Sequence, residues 1–248
     1  MKIVAIIPAR YLSTRLQTKV LLDIAGKPMI GHVYERARQA SLVQDVFVAT
    51  DDQRIARIVT DFGGKPIMTS TSHNSGMDRV AEAVINRDID IVVNVQGDEP
   101  LIRPEMIDQA IAVLLEDNNI LMSTLKCSID NDVDVVDPNI VKVITDKNDF
   151  ALYFSRLPLP YDRDNWKTVF HTTALHYKHI GLYVYRKDFL LNLTQLPPSP
   201  LEKIERLEQL RVLENGYKIK VLTTKYDSYS VDTEGDLKKV RKLMMKSE

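Results

Sequence analysis

The stretch Ile3-Val4-Ala5-Ile6-Ile7-Pro8-Ala9-Arg10 decides the fold. Its first five residues are apolar at every position, the composition of a strand covered on both faces, and a proline and an arginine then stop it. Two later runs repeat the pattern: Asp45-Val46-Phe47-Val48-Ala49-Thr50 and Ile91-Val92-Val93-Asn94-Val95. Amphipathic stretches lie between them. Pro28 to Ala40 puts Ile30, Val33, Tyr34 and Ala37 near one helical face, and Asp51 to Phe62 does the same with Ile55, Ile58, Val59 and Phe62. Asp51 or Asp52 caps the second helix and Gly63-Gly64 ends it. Pro104 opens a helix carrying Ile107, Ala110, Ile111 and Leu114. Buried strands alternating with helices predict an α/β fold with a largely parallel central sheet flanked by crossover helices.

The later half changes character. Val141 to Thr145 and His179 to Tyr185 read as strands, separated by the polar stretch Asp162 to Lys167. Ser199-Pro200-Leu201-Glu202 has a cap, a first-turn proline and a capping-box glutamate in register. It predicts a helix with Leu201, Ile204, Leu207, Leu210 and Leu213 on one side and Asn215-Gly216 as its stop. Tyr217 to Thr223 reads as a further strand, and Thr233-Glu234-Gly235-Asp236 begins a basic terminal helix. Without repeats, low-complexity tracts or a linker, residues 1–248 read as one domain with an inserted lobe over 140–200.

The 248 residues carry 33 basic and 34 acidic side chains, a net charge of −1 that argues against a general nucleic-acid binder. A 44% hydrophobic content suffices for a core, and the single cysteine, Cys127, excludes an intramolecular disulfide. No apolar run is long enough to span a membrane. The expectation is a soluble, cytoplasmic protein with neither nucleic acid nor membrane insertion among its partnerships.

Ligands in open α/β sheets bind at the carboxyl ends of strands, so Arg10, Arg15 and Lys19 emerge at the favoured edge. Three cations with hydroxyls between them and no acid among them suit a polyphosphate. Neither glycine loop for nucleotides is present: no two glycines are spaced G-x-G, and after Gly26 and Gly31 the chain has His32-Val33 where Lys and Ser/Thr are required. Charge on a bound triphosphate must then be met by side chains and a metal. Gln96-Gly97-Asp98-Glu99-Pro100 follows a strand, and a carboxylate there suits Mg²⁺ completed by phosphate oxygens, although a plain turn also favours Gly-Asp. Asp232 is a second carboxylate in such a place, with helix capping as its ordinary use. Ser75 and Arg79 sit at a helix start that could hold a base edge or phosphate, and capping also accounts for Ser75. His171, His176 and His179 lack the thiolate or carboxylate a zinc site wants. Arg156 follows an aromatic stretch and could pair with a substrate carboxylate or with an internal acid; Glu208, Gln209 and Arg211 read as surface polars.

Taken in order, Ile7-Pro8-Ala9-Arg10 with Arg15-Leu16, Val48-Ala49-Thr50-Asp51-Asp52, Ser75-Gly76-x-Asp78-Arg79, Asn94-Val95-Gln96-Gly97-Asp98-Glu99-Pro100, Tyr153-Phe154-Ser155-Arg156, His179-Ile180-Gly181-Leu182-Tyr183, Leu207-Glu208-Gln209-Leu210-Arg211 and Val231-Asp232-Thr233 resemble the 3-deoxy-manno-octulosonate cytidylyltransferases. These are nucleotidyltransferases with a Rossmann-like sheet and a lobe for dimerisation and sugar binding. The resemblance runs nearly the full chain. It implies transfer from CTP to 3-deoxy-manno-octulosonate (Kdo), with CMP-Kdo and diphosphate as products and Mg²⁺ as cofactor. It implies that Arg10, Arg15 and Lys19 hold the triphosphate and that Ala9, Ser75, Arg79 and Gln96 surround the nucleotide. Lys19, Asp98 and Asp232 would be catalytic, with Asp98 and Asp232 on the metal. Arg156 would take the sugar carboxylate, and His179, Tyr183, Glu208 and Gln209 the sugar hydroxyls. A homodimer formed through the lobe is also implied.

One stretch departs from the family. Where its pattern is Pro-Gly-Lys-Pro-Leu, this chain has Gln17-Thr18-Lys19-Val20-Leu21. If the family's glycine needs a positive φ, Thr18 is strained there and nucleotide affinity weakens. Two other readings are a transferase for a modified octulosonate, such as the 8-amino sugar, and a non-catalytic sugar-nucleotide binding protein.

Overall fold

A computed structural model describes residues 1–11, 16, 18–73, 75–161, 163 and 175–245. In chain order the strands are β1 (Ile3–Ala9), β2 (Asp23–Ile24), β3 (Lys27–Pro28), β4 (Asp45–Thr50), β5 (Pro66–Met68), β6 (Ile91–Val95), β7 (Met122–Ser128), β8 (Lys142–Thr145), β9 (Ala151–Ser155), β10 (Tyr177–Arg186) and β11 (Lys220–Thr223). The helices are α1 (Met29–Gln39), α2 (Gln53–Asp61), α3 (Gly76–Val84), α4 (Pro104–Glu116), α5 (Asp132–Val136), α6 (Lys187–Thr194), α7 (Pro200–Glu205), α8 (Gln209–Glu214) and α9 (Glu234–Met244), with a short 3-10 turn over Lys19–Leu21.

The main sheet runs β11-β7-β10-β6-β1-β4-β5. β1 is parallel to both β4 and β6, β4 to β5, and β7 to β11, while β10 is antiparallel to β6 and β7. One reversed strand therefore stands in an otherwise parallel series. The even apolarity of β1 has the expected cause: Ile3, Ala5, Ile7 and Ala9 enter the layer holding α1 and α4, and Val4 and Ile6 enter the layer holding α3 and α6. Successive side chains point to opposite faces, and both faces are covered.

The helix signals act as read in most places. Asp52 accepts from the Arg54 amide at the start of α2, Ser75 from the Asp78 amide at the start of α3, and Pro104 begins α4. The β8–β9 hairpin leaves the main path and joins β10 through Lys178 and Lys142. Three expectations are corrected. The strand expected over Tyr217 to Thr223 is confined to β11. Thr233, not Asp232, caps α9, with Asp236 closing the capping box. The helix expected from Leu201 to Leu213 is two pieces: α7 ends at Arg206, which is left-handed at φ 53°, and α8 restarts at Gln209. Leu201 and Ile204 consequently face outward, whereas Leu207 and Leu210 join the core. Arg15, His171 and the polar stretch, apart from residue 163, lie outside the described residues.

Candidate active site

Register determines what meets at the carboxyl edge. Ala9 pairs with Thr50, and Leu182 of the reversed β10 lies opposite Val95, so Arg10, Asp51, Gln96 and the first residues of β10 share one rim. Arg10, Gln96 and the first residues of β10 line a cleft of about 500 Å³, within the usual range for a small-molecule site, with Asp51 behind its wall. Gly97 is required by packing. A Cβ there would stand 3.0 Å from the Pro8 carbonyl oxygen and 3.3 Å from Val20, so glycine lets the loop after β6 lie against the loop after β1.

That close approach brings Asp98 to Lys19. Lys19 Nζ donates to Asp98 Oδ2 at 2.5 Å and to Asp232 Oδ1 at 2.9 Å. Burial works against the ammonium, but the two carboxylates outweigh it and raise its pKa. Asp232 arrives from the far end of the chain because the Val231 amide donates to the Asp98 carbonyl oxygen at 2.9 Å. Two carboxylates thus converge on one cation. This is the donor set Mg²⁺ uses together with substrate phosphate oxygens. Among the described residues no group of three or more His, Cys, Asp or Glu forms an all-protein metal cage.

Arg79 is buried, with Nη1 donating to Thr69 Oγ1 and Nη2 to Asp51 Oδ2, both at 2.6 Å. It reaches the cleft as the fixed member of a network anchored on β4's end. Gln96 bonds Asn94 at 3.2 Å and lies over Gly181. Ser75, beside them, caps α3 as the alternative reading held.

Opposite stand the residues expected at the sugar. Arg156 donates from Nε to the Glu205 carbonyl and from Nη1 to the Pro138 carbonyl, both at 2.8 Å, so the partners of its guanidinium among the described residues are main-chain oxygens, while its own amide donates to the Glu205 carboxylate at 3.1 Å. His179 is buried with Nε2 2.9 Å from Thr124 Oγ1, and burial lowers its pKa to about 3. The Thr124 hydroxyl lies 2.7 Å from the Leu182 carbonyl; donating there, it accepts from Nε2–H of the neutral ring. A register shift between Ile180 and Tyr183 opens these carbonyls, a strand irregularity of the kind found at sites. Burial raises the Tyr183 pKa, so the phenol stays protonated.

Glu208, Gln209 and Arg211 are not surface polars. Glu208 accepts from the Gly76 amide at 3.3 Å and the Met77 amide at 3.2 Å, and its burial raises the carboxyl pKa against those bonds. Gln209 is buried, and Arg211 forms a buried fork on Glu202 at 2.6 and 2.8 Å. The break at Arg206 is what turns Glu208 toward α3.

Glu99 and Lys178 are among the cleft residues that escaped the sequence reading. Glu99 is buried and accepts from Ser228 Oγ, and burial with Asp98 beside it raises its carboxyl to about 7. Lys178 donates to Asp227 at 2.8 Å and to the Ser228 carbonyl at 2.5 Å. The acid beside Asp98 was a signal for Glu99; Lys178 had none, because its partners are some fifty residues away.

A family model described as cytidylyltransferase matches residues 4–219. A 3-deoxy-manno-octulosonate cytidylyltransferase of Geotalea uraniireducens (strain Rf4) is 57% identical over 99% of this chain and 100% of its own. One from Geobacter sulfurreducens (strain ATCC 51573 / DSM 12127 / PCA) is 54% identical over 97% and 98%. The solved structure of a CMP:2-keto-3-deoxy-manno-octonic acid synthetase complexed with CTP is 44% identical over the whole of both chains, with a TM-score of 0.91. A cytidylyltransferase of Leptospira borgpetersenii serovar Hardjo-bovis (strain JB197) shares the fold, at 17% identity over 100% of this chain and 95% of its own and a TM-score of 0.60. The motifs, the cleft they form and this agreement along the whole length have one explanation: the chain belongs to the cytidylyltransferase family, among the 3-deoxy-manno-octulosonate cytidylyltransferases.

Proposed function

We infer that the protein transfers the cytidylyl group of CTP to Kdo, giving CMP-Kdo for lipopolysaccharide assembly and releasing diphosphate. The observation that carries this reading is the convergence of Asp98 and Asp232 on Lys19 at one end of a cleft whose other end holds Arg156, His179 and Tyr183. The anomeric oxygen of the sugar forms a bond to the α-phosphorus as the bond from that phosphorus to the diphosphate oxygen breaks in line. Asp98 and Asp232 would hold Mg²⁺, which when bound offsets phosphate charge and lowers the pKa of the attacking hydroxyl.

The protein's own groups do the rest. Arg10, Arg15 and Lys19 bind the phosphates, and Lys19 neutralises the leaving diphosphate. Ala9, Ser75, Arg79 and Gln96 enclose the nucleoside, Arg79 being fixed by Asp51 before substrate arrives. Arg156 faces the sugar carboxylate while its Nε and Nη1 hold the wall at Glu205 and Pro138. His179, held neutral by burial, takes part as a hydrogen-bonding partner for a hydroxyl, with Tyr183, Glu208 and Gln209 beside it. The proposed setting is the cytoplasm, and the proposed assembly a homodimer through the lobe.

The test is diphosphate release from CTP and Mg²⁺, with and without Kdo. Release that requires Kdo and disappears in Asp98→Ala supports the reading. Release without Kdo, or none in its presence, overturns it.

A further inference from the structure

We propose that Lys239, on α9, is a phosphate-binding residue of this cleft, contacting the terminal phosphates of the nucleoside triphosphate and the diphosphate that leaves. The inference rests on the nucleotidyl-transfer reading and adds a residue from an element that reading leaves unused.

The argument is one of charge at one end of the cleft. Lys19 is held between Asp98 and Asp232, so its charge is already matched by carboxylates before a polyphosphate arrives. Most other cations lining the cleft are committed elsewhere: Arg79 to Asp51, Lys178 to Asp227 and Arg156 to main-chain carbonyls. Lys239 differs from them. It is exposed, it lines the cleft with Asp232 and Lys19, and its Nζ lies 4.0 Å from the centroid of the Tyr229 ring. It forms no ion pair among the described residues. The nearest acid along its helix, Asp236, is occupied by the Asp232 and Thr233 amides and the Thr233 hydroxyl.

Tyr229 gives the ammonium a defined seat without neutralising it, since a cation over a ring keeps its full charge for an incoming anion. Lys178 approaches the same ring at 4.9 Å, so the tyrosine seats two cations beside the cleft, of which Lys239 is the one without an acid partner among the described residues. Arg10 enters from the β1 rim and Lys239 from the α9 wall, so a diphosphate between them is met from two sides.

Calorimetry with inorganic diphosphate and Mg²⁺, together with steady-state kinetics, tests the assignment on the wild type, Lys239→Met and Lys239→Arg. In Lys239→Met the diphosphate Kd and the CTP KM are expected to rise about 5- to 50-fold, with the Kdo KM within about twofold of wild type, as loss of one charge-assisted contact predicts. Lys239→Arg is expected to restore most of the affinity. Unchanged diphosphate Kd and CTP KM overturn the proposal, including the case where only the melting temperature falls, which marks Lys239 as a support for Tyr229. If the wild type binds diphosphate but does not turn over Kdo, the transfer reading fails, and the Kd difference between wild type and Lys239→Met still decides the role of Lys239.

Discussion

Thr18 lies at φ 53° and ψ 26°, the left-handed region, immediately before the lysine on which both site carboxylates converge. A β-branched residue there carries about 1–2 kcal/mol of strain. Glycine removes that strain and adds roughly 0.5–1 kcal/mol of unfolded-state entropy. Thr18→Gly is therefore expected to leave stability unchanged or raise it by up to about 1 kcal/mol, and to lower the CTP KM by freeing Lys19 to reach phosphate. Destabilisation in a denaturant titration together with a higher KM would contradict this. The feature was legible because one residue departs from a pattern whose glycine has a backbone reason. A second prediction concerns pH. The buried His179, lowered from 6.5 to about 3, stays neutral while its unfolded counterpart takes up a proton, so its contribution is lost as pH falls from about 6.5 toward 3. Glu99, raised from 4.5 to about 7, has the opposite slope: its contribution is lost as pH rises from about 4.5 to 7. Each slope approaches about 1.4 kcal/mol per pH unit, so they offset between about 4.5 and 6.5. Glu208, whose carboxyl burial also raises, slopes the same way as Glu99 and is common to all three proteins, so the comparison is relative: against the wild type, stability measured by denaturant is expected to fall more steeply with rising pH in His179→Gln and to gain a rising slope in Glu99→Gln. Parallel profiles for the three proteins would refute the opposed titrations.

At the scale of elements, the two-piece helix α7–α8 is the clearest case of what sequence did not disclose. Apolar residues spaced at helical intervals from Leu201 to Leu213 specify one continuous face, and each local signal agrees with it. The break at Arg206 accompanies contacts the periodicity does not record: Glu208 accepts from the first amides of α3, and Arg211 folds back across the break onto Glu202. Interactions spanning 132 residues leave no periodic trace in a short window. The same holds for β10, whose composition announced a strand but not its reversed direction, which depends on β6 and β7 at its flanks. The Glu202–Arg211 pair holds the two helical pieces together, and both side chains are buried. Arg211→Met leaves a buried carboxylate without its cation and is expected to destabilise by about 3–5 kcal/mol in urea unfolding. Glu202→Met combined with Arg211→Met is expected to recover most of that loss. The remaining deficit is about 1 kcal/mol, because Glu202 also accepts from the Ser199 amide in the capping box. Additive losses in the double variant would show that the pair is not coupled.

For the molecule as a whole, the carboxyl edge was legible because strand period is local and buried strands alternating with helices imply parallel neighbours, which puts Arg10 and Asp98 past strand ends on one rim. Asp232 needed tertiary structure, since its arrival depends on the Val231 amide reaching the Asp98 carbonyl. The proposed homodimer is a question at this scale. Arg156 bonds Pro138 and Glu205 together, which gathers the segments carrying Val136, Leu157 and Ile204. These side chains are 44%, 70% and 80% exposed, a costly display for a surface that stays in water. If two copies cover them against each other, the wild type sediments at twice its 28.3 kDa chain mass. Association of this kind places apolar side chains in a desolvated centre, where an introduced charge has no partner and is opposed by the same charge from the second copy. Leu157→Glu combined with Ile204→Glu is thus expected to give a folded monomer, weakening the dimer by a factor of about 100 or more at two buried charges per chain. Circular dichroism of the variant checks that the fold persists, because neither side chain enters the core clusters. A wild type that sediments as a single chain removes the homodimer, and a doubly substituted protein that remains paired moves the interface away from this face.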